Sequence, residues 1–305
     1  MIILDGIKTA QDLRNEISEE VSYIVKNGGK RPHLAAVLVG SNGASVTYVN
    51  AKIKACEEVG FSSTLVKLSD TISEAELLEE VRKLNDNPDI DGFIVQLPLP
   101  VQIDEKKIIL AIRPDKDVDG FHPENVGRMA LGMPGFVPAT PAGIIELLDR
   151  YNIETGGKHC VVLGRSHIVG QPISMLMSRN TYPGNSTVTL CHSHTRNLPD
   201  IIRSADILIA AVGRPGFVTG DMVKEGVVVV DVGITRIVDK TKKSGYRIVG
   251  DVDFSQVSQK AAFITPVPGG VGPMTIVSLL KNTLKATRGK QCAGSPLPYN
   301  KEGLN

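Results

Sequence analysis

The chain has 305 residues, enough for two cores, and 34 basic side chains stand against 33 acidic ones for a net charge of +1. That balance gives no electrostatic case for nucleic acid or an anionic membrane surface as partner, and no apolar run is long enough to span a bilayer. Aromatics make up 4% with no Trp, so Val, Ile, Leu and Ala must fill the interior, as in parallel sheets buried on both faces. The cysteines at 56, 160, 191 and 292 form no C-x-x-C pair and have no histidines at zinc spacing, so no metal site is expected. The N-terminal MIILDGIKTAQDLRNEI reads as a short strand and an amphipathic helix, without a signal-peptide layout, and a reducing, cytoplasmic setting is expected.

Strand and helix patterns alternate along the chain. Strands are predicted at His33–Gly40, Ser63–Leu68 and Gly92–Leu97. Between them lie helices over Ala44–Val59, with Gly60 as C-cap, and Thr71–Asn85, with Ser73 and Glu76 at capping-box spacing. Arg113–Pro141 shows no period and reads as a long loop. A helix then runs over Ala142–Tyr151. A second alternating block has strands at Cys160–Leu163, Ser186–Leu190, Ile207–Ala211, Val227–Val232 and Phe263–Thr265. Helices are predicted at Pro172–Arg179, Leu198–Ser204 and Phe254–Lys260, a polar hairpin at Thr235–Tyr246, and a last helix at Met274–Ala286. Such repetition predicts an α/β protein with parallel sheets and right-handed crossovers.

Cys160-Val-Val-Leu-Gly164-Arg-Ser-His-Ile-Val-Gly170-Gln-Pro is a strand, a glycine loop and a helix start, the junction that offers free N–H groups to a pyrophosphate. Ser166 stands where a G-x-G-x-x-G fingerprint has its second glycine, and a plain tight βα turn explains Gly164 and Gly170 equally well. The next strand runs into Cys191-His-Ser193-His-Thr-Arg196 with no acidic residue for a ribose 2′-hydroxyl. Arg165 and Ser193 could instead hold a 2′-phosphate, which favours NADP over NAD. His192 and His194 either join that basic rim or are solvated loop histidines. Small residues at Ala210-Ala-Val-Gly213 and Asp231-Val-Gly-Ile234 suit either a ligand cleft at strand ends or close packing.

In the first half, Ser45-Val-Thr-Tyr48-Val-Asn-Ala-Lys52 puts Tyr48 and Lys52 on one helix face. An aromatic can stack on a flat heterocycle, and a lysine of lowered pKa can shuttle a proton; an exposed Lys beside a packed Tyr is the commoner outcome of such a pair. Gln96 closes a buried strand before Leu-Pro-Leu-Pro100 and can orient a lysine or a water. Asp115, Asp117 and Asp119 crowd one turn, where a carboxylate could accept from a pterin ring or serve the Asp119-Gly120 turn itself. Thr265-Pro-Val-Pro268-Gly269-Gly270-Val-Gly-Pro-Met-Thr275 is a glycine-lined loop that permits close backbone approach.

Taken in order, Tyr48–Lys52, Val95–Pro100, Pro114–Phe121, Pro138–Gly143, Gly164–Pro172 and Pro266–Thr275 resemble the bifunctional methylenetetrahydrofolate dehydrogenase/methenyltetrahydrofolate cyclohydrolases over residues 1–286. The resemblance implies oxidation of 5,10-methylenetetrahydrofolate with NADP, then hydrolysis of the methenyl compound to 10-formyltetrahydrofolate. It implies Lys52 as the catalytic lysine, Gln96 tuning it, Tyr48 stacking on the folate and Asp119 anchoring the pterin, with Ser45, Pro268, Gly269 and Gly270 also at the substrate. Gly164, Arg165, Ser166, Gly170, Ser193, Gly213 and Ile234 would line the cofactor site. NAD-using relatives carry a second basic residue near position 193, and Cys191-His-Ser193-His resembles the NADP-using members. Residues 1–142 with 274–286 would form a folate-binding catalytic domain and 143–273 a Rossmann-like NADP-binding domain, with the folate between them and a disordered tail over 287–305. A homodimer paired through the cofactor domain is expected. Against a monofunctional dehydrogenase stands the presence of Lys52; against a non-catalytic NADP sensor, the joint presence of Tyr48, Lys52, Gln96 and Asp119; against a shikimate- or glutamate-type dehydrogenase, the Tyr-x-x-x-Lys and PVPGGVGP segments.

Overall fold

The computed structural model describes residues 1–242 and 245–292. By contacts the chain divides into two units, one of Met1–Glu16 with Asp119–Leu279, the other of Ile17–Val118 with the chain from Leu280. It opens with β1 (Ile2–Ile3) and α1 (Gly6–Lys26). Then β2 (His33–Val39), α2 (Gly43–Glu58), β3 (Ser62–Leu68), α3 (Glu74–Asp86) and β4 (Gly92–Val95) alternate. From Leu34 on, β2 is apolar and buried, which suits the centre of a three-stranded parallel sheet ordered β3-β2-β4. Val37, Leu77, Val81 and Phe93 pack in its core. The α3 boundary falls at its cap: Ser73 is extended, its side chain accepts the Glu76 N–H and its own N–H donates to Glu76 Oε2, so Thr71 and Ile72, expected in the helix, lie outside it.

Two short helices follow, α4 (Glu105–Ala111) and α5 (Pro123–Ala130). The second falls inside the stretch expected to be loop. Its signal is a terminus rather than a period: the His122 side chain accepts the Glu124 N–H, Pro123 opens the helix, and Asn125 is the residue it buries. After α6 (Ala139–Arg150) come β5 (His159–Leu163), α7 (Gly170–Ser178), β6 (Thr187–Cys191), α8 (Leu198–Ser204), β7 (Ile207–Ala210) and β8 (Val228–Asp231). The predicted hairpin is β9 (Thr235–Val238) against β10 (Tyr246–Val249), antiparallel. The chain ends its described part with α9 (Phe254–Val257), β11 (Phe263–Ile264) and α10 (Val271–Cys292).

The second sheet has six parallel strands ordered β1-β11-β8-β7-β5-β6. After β5 the chain adds β6 on one side and returns to place β7 on the other, which makes the β5/β7 edge a topological switch point. Two details depart from the expected layout. β1 joins this sheet through Ile2 opposite Phe263, although the sequence groups it with the N-terminal half. Helix α10 starts before Met274, because Pro273 is tolerated in a first turn, and continues through Thr287 to Cys292, where a tail was expected. The rest of that tail, from 293, lies outside the described residues.

Candidate functional site

Helix α2 begins where Asn42 Oδ1 accepts the N–H groups of Ala44 and Ser45, at 3.0 and 3.2 Å. This cap sets the helical phase, so buried Ser45, half-buried Tyr48 and Lys52 fall on one face. Lys52 is 5% exposed, and its Nζ lies 5.6 Å from the Tyr48 ring centroid. The same Nζ donates to Gln96 Oε1 at 3.3 Å. Gln96 follows β4, with its N–H on Val37 O at 2.9 Å. Its Nε2 donates to Leu97 O at 2.7 Å, which turns the amide oxygen toward the lysine. Tyr48, Lys52 and Gln96 are thus brought together within one unit.

Asp119 opens the long segment of the other unit and is half-buried. Its carbonyl accepts the Ala139 N–H at 3.3 Å, and Gly120 follows at φ +76, where a Cβ would meet Pro138 N at 2.7 Å. In the glycine loop after β11, Gly269 has φ +110 and its carbonyl accepts the Ile7 N–H at 3.1 Å. Gly270 is buried and Pro268 exposed. A Cβ on Gly6 would meet Gly270 O at 1.7 Å, so α1 starts against this loop.

At the switch point lies a cavity of about 340 Å³. The ends of β5, β6 and β7 line it with Leu163, Cys191 and Ala211, and burial pushes the Cys191 thiol up. Gly164, Arg165, Ser166, His192 and Ser193 complete that side. Gly164 has φ +101, and a Cβ there would meet Ala211 O at 2.1 Å. A Cβ on Gly170 would meet Gly164 O at 1.9 Å, so α7 closes directly onto the loop. Ser166 Oγ accepts from Val169 and Gly170 N–H at 3.2 and 3.3 Å, which folds the loop into the helix start. Gly213, φ +67, adjoins the lining residues Val212 and Arg214, whereas Ile234 sits outside the lining and is 51% exposed. A dinucleotide fits this donor set: the backbone of the cradle admits a pyrophosphate, and Arg165 and Arg214 offer cations.

Arg214 and Phe217 are cavity residues that the sequence reading passes over. The guanidinium carbon of Arg214 lies 4.7 Å from the Phe217 ring centroid. Their signal is position, because Arg214 follows the strand-end Ala-Ala-Val-Gly213 directly. Among the described residues, no group of three or more His, Cys, Asp or Glu side chains could hold a metal ion, and no helix is long and apolar enough to cross a membrane.

Two family models cover most of the chain: the catalytic domain of tetrahydrofolate dehydrogenase/cyclohydrolase over residues 4–119 and its NAD(P)-binding domain over 138–291. The chain belongs to that family. A bifunctional protein FolD from Flavobacterium psychrophilum is 64% identical over 286 residues, 94% of this chain and 97% of that protein. The FolD of Porphyromonas gingivalis is 59% identical over 287 residues, with 94% and 97% covered. Among solved structures, a FolD methylenetetrahydrofolate dehydrogenase/cyclohydrolase from Campylobacter jejuni shares 45% identity with a TM-score of 0.89, covering 95% of this chain and 99% of its own. A Trypanosoma brucei FolD, complexed with NADP and an inhibitor, shares 39% identity with a TM-score of 0.91, at 95% and 98% coverage.

Proposed function

We propose that this chain oxidises 5,10-methylenetetrahydrofolate with NADP and hydrolyses the methenyl product to 10-formyltetrahydrofolate, with Lys52 carrying the proton of the second step. The observation that carries the assignment is the buried Lys52 amino group held between Gln96 Oε1, at 3.3 Å, and the Tyr48 ring. Bound NADP supplies a hydride acceptor, so the protein's part in the first step is to position. In the second, water adds to the amidinium-like methenyl carbon and loses a proton to Lys52 Nζ; the carbon–N5 bond then breaks and N5 takes up a proton. Gln96, its amide fixed by Leu97 O, holds Nζ in place for that exchange. The Tyr48 ring is assigned to stack on the pterin, Asp119 to accept from its N–H groups, and Ser45, Pro268, Gly269 and Gly270 to shape the folate site.

On the cofactor side, Gly164, Ser166, Gly170, Gly213 and Ile234 are assigned to the dinucleotide. Arg165 and Ser193 are assigned to the 2′-phosphate, a reading supported by the NADP bound to the Trypanosoma brucei relative. The catalytic domain is taken as 1–142 with 274–286, and the NADP domain as 143–273. The enzyme is read as a cytoplasmic homodimer by family resemblance; sedimentation at the mass of a single chain would overturn the dimer. Lys52→Ala is the decisive variant. Cyclohydrolase activity should fall by at least a hundredfold, with NADP affinity unchanged. Undiminished hydrolysis of the methenyl compound would remove Lys52 from the mechanism.

A further inference from the structure

The turn after β7 is exposed, yet a buried carboxylate holds it from beneath. Asp251, 0% exposed, accepts Val212 N–H at 2.6 Å and Gly213 N–H at 3.0 Å on Oδ2, and Arg214 N–H at 2.8 Å on Oδ1. Asp251 is itself placed by Asp231, at the end of β8. Asp231 Oδ1 accepts the Asp251 N–H at 2.9 Å and its Oδ2 the Val252 N–H at 3.0 Å. Two glycines make room for this stack: a Cβ on Gly250 would meet Asp231 Oδ2 at 1.9 Å, and one on Gly233 would meet Asp251 Cγ at 2.5 Å. A buried carboxylate is costly unless hydrogen-bonded, and here the acceptors are filled by three successive N–H groups of one turn. Val212 and Arg214 line the switch-point cavity.

We propose that Asp251 is a positioning residue of the cofactor site, fixing the 212–214 turn so that Arg214, over Phe217, presents its guanidinium to the anionic dinucleotide. This rests on the reading of that cavity as the NADP site. Asp251 touches neither substrate nor cofactor in this role; it acts through the backbone of the turn. The isosteric Asp251→Asn replaces one acceptor oxygen by an NH2 group that faces an N–H donor, so the turn loses at least one anchor.

The test is the NADP dependence of Asp251→Asn in the full-length enzyme. The KM for NADP should rise about tenfold, with kcat at saturating NADP retained. Hydrolysis of the methenyl compound, which uses no cofactor, reports that the variant is folded. An unchanged KM for NADP overturns the proposal, whereas failure of the unaltered enzyme to bind NADP would overturn the underlying reading of the cavity instead. Should Asp251→Asn not fold, the exposed Arg214→Ala decides: a KM for NADP raised about fivefold supports the proposal, and an unchanged one overturns it. Where both fold, Arg214→Ala should add little to the loss in the Asp251→Asn background, and fully additive losses would mean that Asp251 does not act through the turn.

Discussion

Asp231 is a carboxylate pushed well away from its ordinary state. Burial pushes its carboxyl up from 3.8 to about 6, against the pull of three backbone N–H groups, and the neighbouring Asp251 charge pushes the same way. A group that holds its proton more tightly folded than unfolded stabilises fully below the unfolded value and loses that contribution as pH rises through the folded one. Between pH 4 and 6 the wild type should therefore lose about 2 kcal/mol relative to Asp231→Asn, whose amide does not titrate. Parallel urea unfolding of both proteins across that range measures the difference, and a difference independent of pH would show that Asp231 stays ionised throughout. Lys52 teaches another lesson at this scale. Its spacing from Tyr48 is legible in the sequence, but the partner Gln96 Oε1, oriented by Leu97 O, depends on how β4 ends beside α2. Asp251 was not legible at all, since it acts on backbone N–H groups of residues 212–214 and leaves no side-chain pattern.

Among the elements, the glycine loop between β5 and α7 is tightly constrained. Gly164 combines φ +101 with a backbone carbonyl 2.1 Å from any added Cβ, so neither conformation nor space admits a side chain. Gly164→Ala should cost about 2 kcal/mol or more of stability and weaken NADP binding, as read by denaturant unfolding and cofactor titration. Retention of both would mean that the loop relaxes without strain. The alternation of strands and helices could be read because parallel strands are continuous apolar runs, as in β5 and β8, with buried residues at nearly every position. Helix α5 escaped because it is only eight residues long: Val126, Met129 and Ala130 share a face, but three positions beside Pro123 and Gly127 are too few to set a period, and its start is marked by His122 and Pro123 instead. The strand β1 was legible but its sheet was not: two isoleucines can join either sheet, and tertiary pairing with Phe263–Ile264 decides.

At the scale of the whole chain, the groups assigned to proton chemistry, Tyr48, Lys52 and Gln96, belong to one unit and the glycine loop to the other. Each activity can therefore be disabled from its own side. NADP at a hundredfold its Kd should add about 2.7 kcal/mol to the unfolding free energy. Thermal melts should rise more with NADP than with NAD at equal concentration, and Arg165→Ala should bring the NADP shift down to that of NAD. If Arg165→Ala lowers both shifts equally, Arg165 does not read the 2′-phosphate.

The pairing of Ile2 with Phe263 sets an order of events during synthesis. β1 leaves the ribosome before nearly all the rest of the described chain, whereas β11, the strand it needs, is among the last to emerge. The three-stranded sheet of β2, β3 and β4 is available early, from a contiguous run of residues. The six-stranded sheet cannot be completed until a separation of this length has been closed, a slow and entropically demanding step. Until then Ile2 and Ile3 have no strand to pair with.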